Sequence, residues 1–166
     1  MVGNHMPAGN QIVKVEVRSV VPTSGGAAVF LGGEGKVIVI YIDNVVGMAI
    51  MSAMRQEPRE RPQTHDLINS ILAGFGAKVD RVVINDFNSG VFYARLFVVA
   101  ENELYERKIL EIDARPSDSL ALALAHHAPV YVVRAVWEGA EDVTALLASM
   151  EAAEGEGGPD GQGGDD

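Results

Sequence analysis

The chain has 166 residues, 48% of them hydrophobic and 22% charged, which excludes disorder of the whole chain and fits one domain of ordinary size. It contains no cysteine, which excludes a disulfide scaffold, a cysteine zinc site, an iron–sulfur cluster and a cysteine nucleophile. The net charge is −10, and the last sixteen residues hold six of the 23 acidic groups and none of the 13 basic ones. The rest of the chain therefore carries a net charge of only −4. It has no excess of basic residues that would bind nucleic acid non-specifically.

Three segments are expected along the chain. Residues 1–11 are predicted to be a tag-like or flexible N-terminus, residues 12–150 a folded domain, and residues 151–166 an acidic, glycine-rich disordered tail. The sequence shows neither a run of about 18 apolar residues nor a secretory signal. We therefore expect a cytoplasmic protein without a membrane partner.

The first half of the domain is predicted to contain three strands and a helix. The strands are predicted over residues 12–21, 27–31 and 36–42. Gly-Gly turns separate them, and Asp43 or Asn44 is then placed to cap a helix that runs to about Met54. Because this helix is apolar nearly all round, we expect it to pack against the sheet and against a second element, such as another subunit.

The second half begins with another helix, which Thr64 is predicted to cap. Its apolar stripe consists of Leu67, Ile68, Ile71, Leu72 and Phe75. Strands are predicted over residues 79–86, 91–100, 105–114 and 130–133. A helix starts at Pro116, which suits a first helical position, and a last amphipathic helix carries Val143 and Leu147.

A weak internal repeat links the two halves. Residues 40–53 align with residues 112–125 at a spacing of 72, and each segment is a strand that ends near an aspartate and leads into an alanine-rich helix. The pattern predicts an α+β fold of antiparallel or mixed sheets with packed helices, built on a duplicated strand-strand-strand-helix unit.

Polar side chains are predicted to gather at one end of this sheet. Hairpin pairing and the short turn after the Thr64 helix bring together Arg61, His65, Asp66, Asp86, Asn88, Asp113, Arg115, Ser117 and Asp118. Two helix N-termini at the same end offer N–H donors to an anion. In this interpretation Asp86, Asp113 and Asp118 bind Mg²⁺ or Mn²⁺, and the arginines hold phosphate. His65 transfers protons, and Asp66 is a further catalytic residue.

Each of these residues also has a purely structural interpretation. Asp66 and Asp118 complement helix dipoles in that interpretation, and Thr64 and Ser117 cap helices. Arg115 forms a structural ion pair with a nearby aspartate. Both interpretations stay open at this stage.

Two sequence blocks resemble the bacterial bifunctional nuclease family. The segments RPQTHDLINSILAGFGAKVDRVVINDFNSGVFYARLFV at 61–98 and IDARPSDSLALALAHHAPVYV at 112–132 carry the likeness, which extends over residues 15–137. The resemblance implies an α+β domain that hydrolyses RNA and DNA with little sequence preference. The characteristic polar positions of the family fall on Arg61, Thr64, His65, Asp66, Tyr93, Arg95, Asp113, Arg115, Ser117 and Asp118.

One departure from the family pattern concerns the start of the first helix. The family often has a Gly-Pro-x-Glu-Ala turn there, whereas this chain has Asp43-Asn44-Val45-Val46-Gly47 and lacks an acid near Val46. If that acid serves catalysis, this chain is impaired; if it only caps the helix, Asp43 and Asn44 replace it.

The sequence therefore leaves three candidate functions open. The first is a nuclease acting on RNA and DNA, with Tyr93 and Arg95 joining the arginines, Thr64 and Ser117 in substrate binding. The second is a non-catalytic, dimeric binding or regulatory module that keeps the family fold, and the third is a sensor of small anions at the two helix N-termini. A homo-oligomer, with a dimer favoured, is expected for either of the first two.

Overall fold

The computed structural model describes residues 11–56, 60–102, 104 and 106–156, with side chains as far as Ala153. The strands are β1 (Ile12–Thr23), β2 (Gly26–Gly33), β3 (Lys36–Ile42), β4 (Ala77–Asn88), β5 (Val91–Glu101), β6 (Arg107–Ala114) and β7 (Val130–Val133). The helices are α1 (Asn44–Arg55), α2 (Thr64–Gly74), α3 (Pro116–His126), α4 (Arg134–Gly139) and α5 (Thr144–Glu156).

The strands form one seven-stranded sheet in the order β3-β2-β1-β7-β4-β5-β6. Neighbouring strands are antiparallel except β4 and β7, which are parallel. β1 connects the two sides, because its first residues pair with β7 and the rest pair with β2, with a bulge between Val17 and Ser19. A mixed sheet with packed helices confirms the predicted α+β class.

The order of elements repeats along the chain. We call β1-β2-β3-α1 the first unit and β4-β5-β6-α3 the second unit. α1 begins at Asn44 and α3 at Pro116, 72 residues apart, which is the spacing that the sequence predicts. β7 lies between β1 and β4, and α1 packs against α3, so the two units share one sheet and one helical layer.

The main core lies between the sheet and the helices α1 and α3. Val13, Ile50, Ile84 and Leu120 have no exposed surface there. A smaller core on the far side of β2 contains Phe30, and it is closed by Val143 and Leu147 from the α5 region. β2 is therefore covered on both faces.

Helix α2 differs from its predicted form at its start. Thr64 is its first residue rather than its cap, because Gln63 and Asp66 form a capping box in which the Gln63 N–H donates to Asp66 Oδ2 at 2.8 Å. The predicted apolar stripe is present but mainly exposed, with Leu67 56% and Phe75 82% exposed. α2 contacts the domain through a narrower face.

Other boundaries are close to those predicted. α1 buries one face only, since Val45 and Met48 are exposed. α5 continues to Glu156, into the segment that was predicted to be the tail, because its alanine and glutamate residues favour helix. Residues 1–10 and 157–166, which hold the rest of the predicted end segments, lie outside the described residues. Within the described part of the chain, no helix combines the length and apolar character needed to cross a membrane.

Candidate active site

Three of the predicted site residues contact one another where α2 and α3 begin. His65 Nε2 and Asp118 Oδ1 are 3.0 Å apart. The guanidinium of Arg115 donates from Nε to Asp118 Oδ2 at 2.7 Å and from Nη2 to Asp118 Oδ1 at 3.2 Å. We call these three residues the His65–Asp118–Arg115 cluster.

Two helix N-termini hold this cluster in place. His65 lies in the first turn of α2, Arg115 is the N-cap residue of α3, and Asp118 lies in the first turn of α3. Backbone N–H groups in a first turn have no partner within their helix, and the helix dipole favours negative charge there. The cluster therefore combines an imidazole and a guanidinium at two helix ends that favour anions.

The carboxylate of Asp118 is held in its ionised form. Partial burial raises the pKa of Asp118, but the hydrogen bonds from Arg115 and His65 outweigh this effect, so the net pKa lies below its ordinary value. The same hydrogen bond with Asp118 raises the pKa of Arg115. An ionised carboxylate accepts the Nε2–H of His65, and this tautomer leaves Nδ1 as the atom that can accept a proton.

A cavity of about 910 Å³ opens beside Arg115. It lies between β3 and the β4–β5 hairpin, and its lining includes Tyr41, Phe92 and the buried Ser117. A largely apolar lining with few polar groups is typical of ligand pockets. Arg115 therefore belongs to both the cluster and the cavity wall.

Asp43 is a member of this site to which sequence reasoning gave only a capping role. Its Oδ1 accepts a hydrogen bond from the Val46 N–H at 3.0 Å, which caps α1, and its Oδ2 lies 3.5 Å from Arg115 Nη1. The repeat carried a signal for this contact, because Asp43 and Arg115 are 72 residues apart and each is the N-cap of its unit's helix. Asp43 therefore caps α1 in this chain, which is the replacement expected if the family's acid near Val46 only caps the helix.

A second polar group lies on the opposite face of the sheet. Arg95 Nη1 is 3.3 Å from Asp113 Oδ1, and Arg95 Nε is 3.7 Å from Glu111 Oε1. The neighbouring Ala94 is buried in the core beneath α3, and side chains alternate along a strand, so Arg95 and Tyr93 lie on the face away from α3. The sheet therefore divides the predicted set of site residues into two groups.

The three aspartates predicted to bind a metal do not come together. Asp118 is engaged by His65 and Arg115, Asp113 is paired with Arg95, and Asp86 accepts a hydrogen bond from the Phe87 N–H at 2.8 Å. Among the described residues, no three carboxylate or imidazole groups are arranged to hold a metal ion. The donor set present does not fit the predicted Mg²⁺ or Mn²⁺ site.

The remaining predicted residues surround the start of α2. Arg61 and Thr64 are exposed there. Asp66 completes the capping box and lines a smaller cavity of about 550 Å³ between the helices. The structure thus gives Asp66 a helix-capping role beside the cluster.

Comparison with known proteins gives the same family as the sequence motifs. The bifunctional nuclease domain matches residues 29–144, which include the whole cluster. Two uncharacterized proteins from two strains of Mycobacterium tuberculosis are each 38% identical over 97 residues, which is 58% of this chain and 54% of each relative. The chain therefore spans about half the length of these curated relatives. The match over most of the folded domain shows that this chain belongs to the bifunctional nuclease domain family.

Proposed function

We propose that this protein is a nuclease that cleaves the phosphodiester bonds of RNA and DNA at the His65–Asp118–Arg115 cluster. The observation that carries the proposal is the 3.0 Å contact between His65 Nε2 and Asp118 Oδ1, beside a guanidinium at a helix N-terminus. An imidazole oriented by an ionised carboxylate is one of the arrangements that enzymes use for general acid–base catalysis.

In the proposed mechanism His65 moves the proton. Its Nδ1 takes a proton from the attacking oxygen, which is the 2′-hydroxyl in RNA or a water molecule on DNA, and later returns a proton to the leaving oxygen. Asp118 stabilises the positively charged imidazolium that exists between these steps. This assistance is worth about 10²–10⁴ in rate.

Arg115 is proposed to bind the scissile phosphate. Its side chain is 64% exposed, and the Nη1 atom faces Asp43 at 3.5 Å, a contact too long for a strong hydrogen bond. A phosphate can therefore replace Asp43 as the partner of Nη1. The charge that builds on the phosphate oxygens in the transition state is then stabilised by Arg115 and the N–H groups at the start of α3.

Three of the other predicted substrate-binding residues are proposed to extend the contact with the nucleic acid. Arg61 and Thr64 lie before and at the start of α2, and Ser117 lines the cavity beside Arg115. Tyr93 and Arg95 lie on the other sheet face, so we assign them no part in the cleavage step. We further propose that the protein acts in the bacterial cytoplasm as a homodimer.

The test compares two aspartates that contact the same arginine. Asp118→Asn removes the ionised carboxylate, and we expect it to lower cleavage of labelled single-stranded RNA and DNA by about 10²–10⁴-fold. Asp43→Asn is the matched control, because asparagine also caps helices well, and we expect most activity to remain. Circular dichroism checks that both variants fold. Equal cleavage by the wild type and Asp118→Asn would refute the proposal.

Adding a chelator distinguishes the proposed metal-free mechanism from a metal-dependent one. No step of the proposed mechanism uses a metal, so we expect cleavage to continue in excess chelator. Loss of cleavage that Mg²⁺ or Mn²⁺ restores would contradict this mechanism and favour the metal-bound arrangement predicted from the sequence.

The alternative function is a non-catalytic, dimeric binding or regulatory module. It is favoured by the engagement of both Asp118 oxygens within the chain and by the exposed apolar faces of α1 and α2. Oligonucleotide binding without cleavage, at any metal concentration, would support this alternative.

A further inference from the structure

Two apolar residues of β6 are more exposed than their counterparts in the repeat. Leu110 and Ile112 are each 41% exposed, whereas Ile38 and Ile40, which lie 72 residues earlier in β3, are 0% and 4% exposed. Leu110 is directly opposite Val98 and Ile112 opposite Leu96, both core residues, so the two side chains are on the helix-covered face of the sheet. The same position in the fold is therefore buried in one unit and open in the other.

The outer edges of these two strands also differ. At the edge of β3, the Val37 N–H donates to Thr144 Oγ1 at 3.0 Å, and the Val37 carbonyl accepts from the Val143 N–H at 2.8 Å. Within the described residues, β6 pairs with β5 alone and no strand pairs with its other edge. An unpaired edge with exposed apolar side chains is a template for another strand.

The charges on β6 specify which strand fits. Its sequence RKILEIDA has Arg107 and Lys108 at the start, and Glu111 and Asp113 near the end. Two antiparallel copies bring the basic end of each beside the acidic end of the other. A parallel pair in register would instead place like charges opposite each other, which is destabilising.

We propose that β6 pairs antiparallel with β6 of a second copy of this chain, about a two-fold axis that places Leu110 opposite Leu110. In that register Arg107 lies opposite Asp113 of the second copy, once at each end of the junction. The two sheets then join edge to edge into one continuous sheet. This interface rests on the homodimer proposed above and gives it a specific geometry, and it does not require nuclease activity.

The symmetry of this register also places the helices. Residues directly opposite in an antiparallel pair share a face, so the helices of both copies lie on the same side of the joined sheet. The exposed stripe of Leu67, Ile71 and Phe75 on α2 lies on that side, since α2 packs against α3. Apolar surface is thus available on the side of the sheet where Leu110 meets Leu110.

The first experiment measures mass in solution by sedimentation equilibrium, using the full chain. We expect a dimer for the wild type and a monomer for Leu110→Arg, which would bring two guanidinium groups together at the axis. Tyr41→Arg is the matched control on the other edge strand, where Tyr41 is 71% exposed, and we expect it to remain a dimer. A monomeric wild type, a dimeric Leu110→Arg or a monomeric Tyr41→Arg would each overturn the proposal.

The second experiment tests the register by exchanging charges. Arg107→Glu and Asp113→Arg each place like charges opposite each other at both ends, so we expect each alone to dissociate about tenfold more readily. An equimolar mixture of the two variants restores opposite charges at both ends of a heterodimer, and we expect wild-type affinity. Each substitution also removes a contact within its own chain, Arg107 with Asp80 or Asp113 with Arg95, which mixing does not restore. Failure of the mixture to associate better than either variant would overturn this register.

Discussion

The two units of the repeat have the same order of elements but different surroundings. In the first unit Val46 is buried in the core, and the region around α5 closes the far face of β2 and the edge of β3. In the second unit the equivalent position is Asp118, which binds Arg115 and His65 at the surface. The first unit is thus the more completely covered of the two, while the second unit supplies Arg115 and Asp118 to the polar cluster and has, within the described residues, an unpaired edge at β6.

The same comparison shows how burial limits the charge that each position can hold. A covered position such as Val46 disfavours a carboxylate without a partner, since an unpaired buried carboxylate is strongly unfavourable. Asp118 is only partly buried, and it can be ionised because Arg115 and His65 neutralise and hydrogen-bond it. The ionised carboxylate of the cluster therefore lies at the less buried of these two equivalent positions.

The largest expected effect concerns the core positions of the two edge strands. Ile38→Ala removes a fully buried side chain, and we expect it to lower the free energy of unfolding by about 2–5 kcal/mol. Leu110→Ala, at the equivalent position in β6, removes a side chain that is 41% exposed, and we expect a loss of about 1 kcal/mol in chains kept monomeric by dilution. Urea denaturation measures the free energy of unfolding of both variants. Equal losses would contradict the expectation that the two units differ in how well these positions are covered.

A smaller effect is expected from the lysine that ties β3 to α4. Lys36 Nζ donates to the carbonyls of Trp137 at 2.7 Å and Ala140 at 2.6 Å, and Lys36→Met is expected to cost about 1.5–3 kcal/mol because charge-assisted hydrogen bonds are lost. Lys108→Met is the matched control, since Lys108 is the exposed counterpart in β6, and we expect a change within about 0.5 kcal/mol. Thermal unfolding of both variants measures this difference in stability. A Lys36→Met variant as stable as its control would show that the cover of the first unit does not depend on Lys36.

The smallest expected effect is a pH dependence of stability that arises at Asp118 in the polar cluster. The pKa of Asp118 is lowered in the folded chain, so its contribution to stability is present above the ordinary value of 3.8 and is lost as the pH falls through the lower folded pKa. We expect Asp118→Asn to be less stable than the wild type above pH 3.8, with a difference that shrinks as the pH falls below this value. Melting temperatures across the acid range test this, and a difference that grows on acidification would contradict it.

Much of the local structure could be predicted from the sequence. Asn88-Ser89-Gly90 predicts a tight hairpin, and Ser89 and Gly90 both have the positive φ angles, 51° and 82°, that a two-residue turn of this kind requires. Asp43 was predicted as a possible cap and accepts the Val46 N–H. These features depend on neighbouring residues only, so a local pattern contains the information.

The polar site could be predicted only in part. His65, Arg115 and Asp118 were expected together and are in contact, because each lies in or just before the first turn of α2 or α3. Arg95 and Asp113 were expected with them, but strand alternation puts them on the other face of the sheet. Which face of a strand meets which helix depends on packing between distant segments.

By itself the sequence determined the positions of most strands and helices, the repeat spacing and the family, since turn residues, apolar periodicity and short motifs are local properties. Only the tertiary structure decided that the Asp43 carboxylate meets Arg115, that the apolar stripe of α2 is mainly exposed, and that the β3 edge is closed while the β6 edge is open. These outcomes depend on contacts between segments far apart in the chain. An apolar pattern shows that a face tends to be buried, but only the packed neighbours determine whether anything covers it.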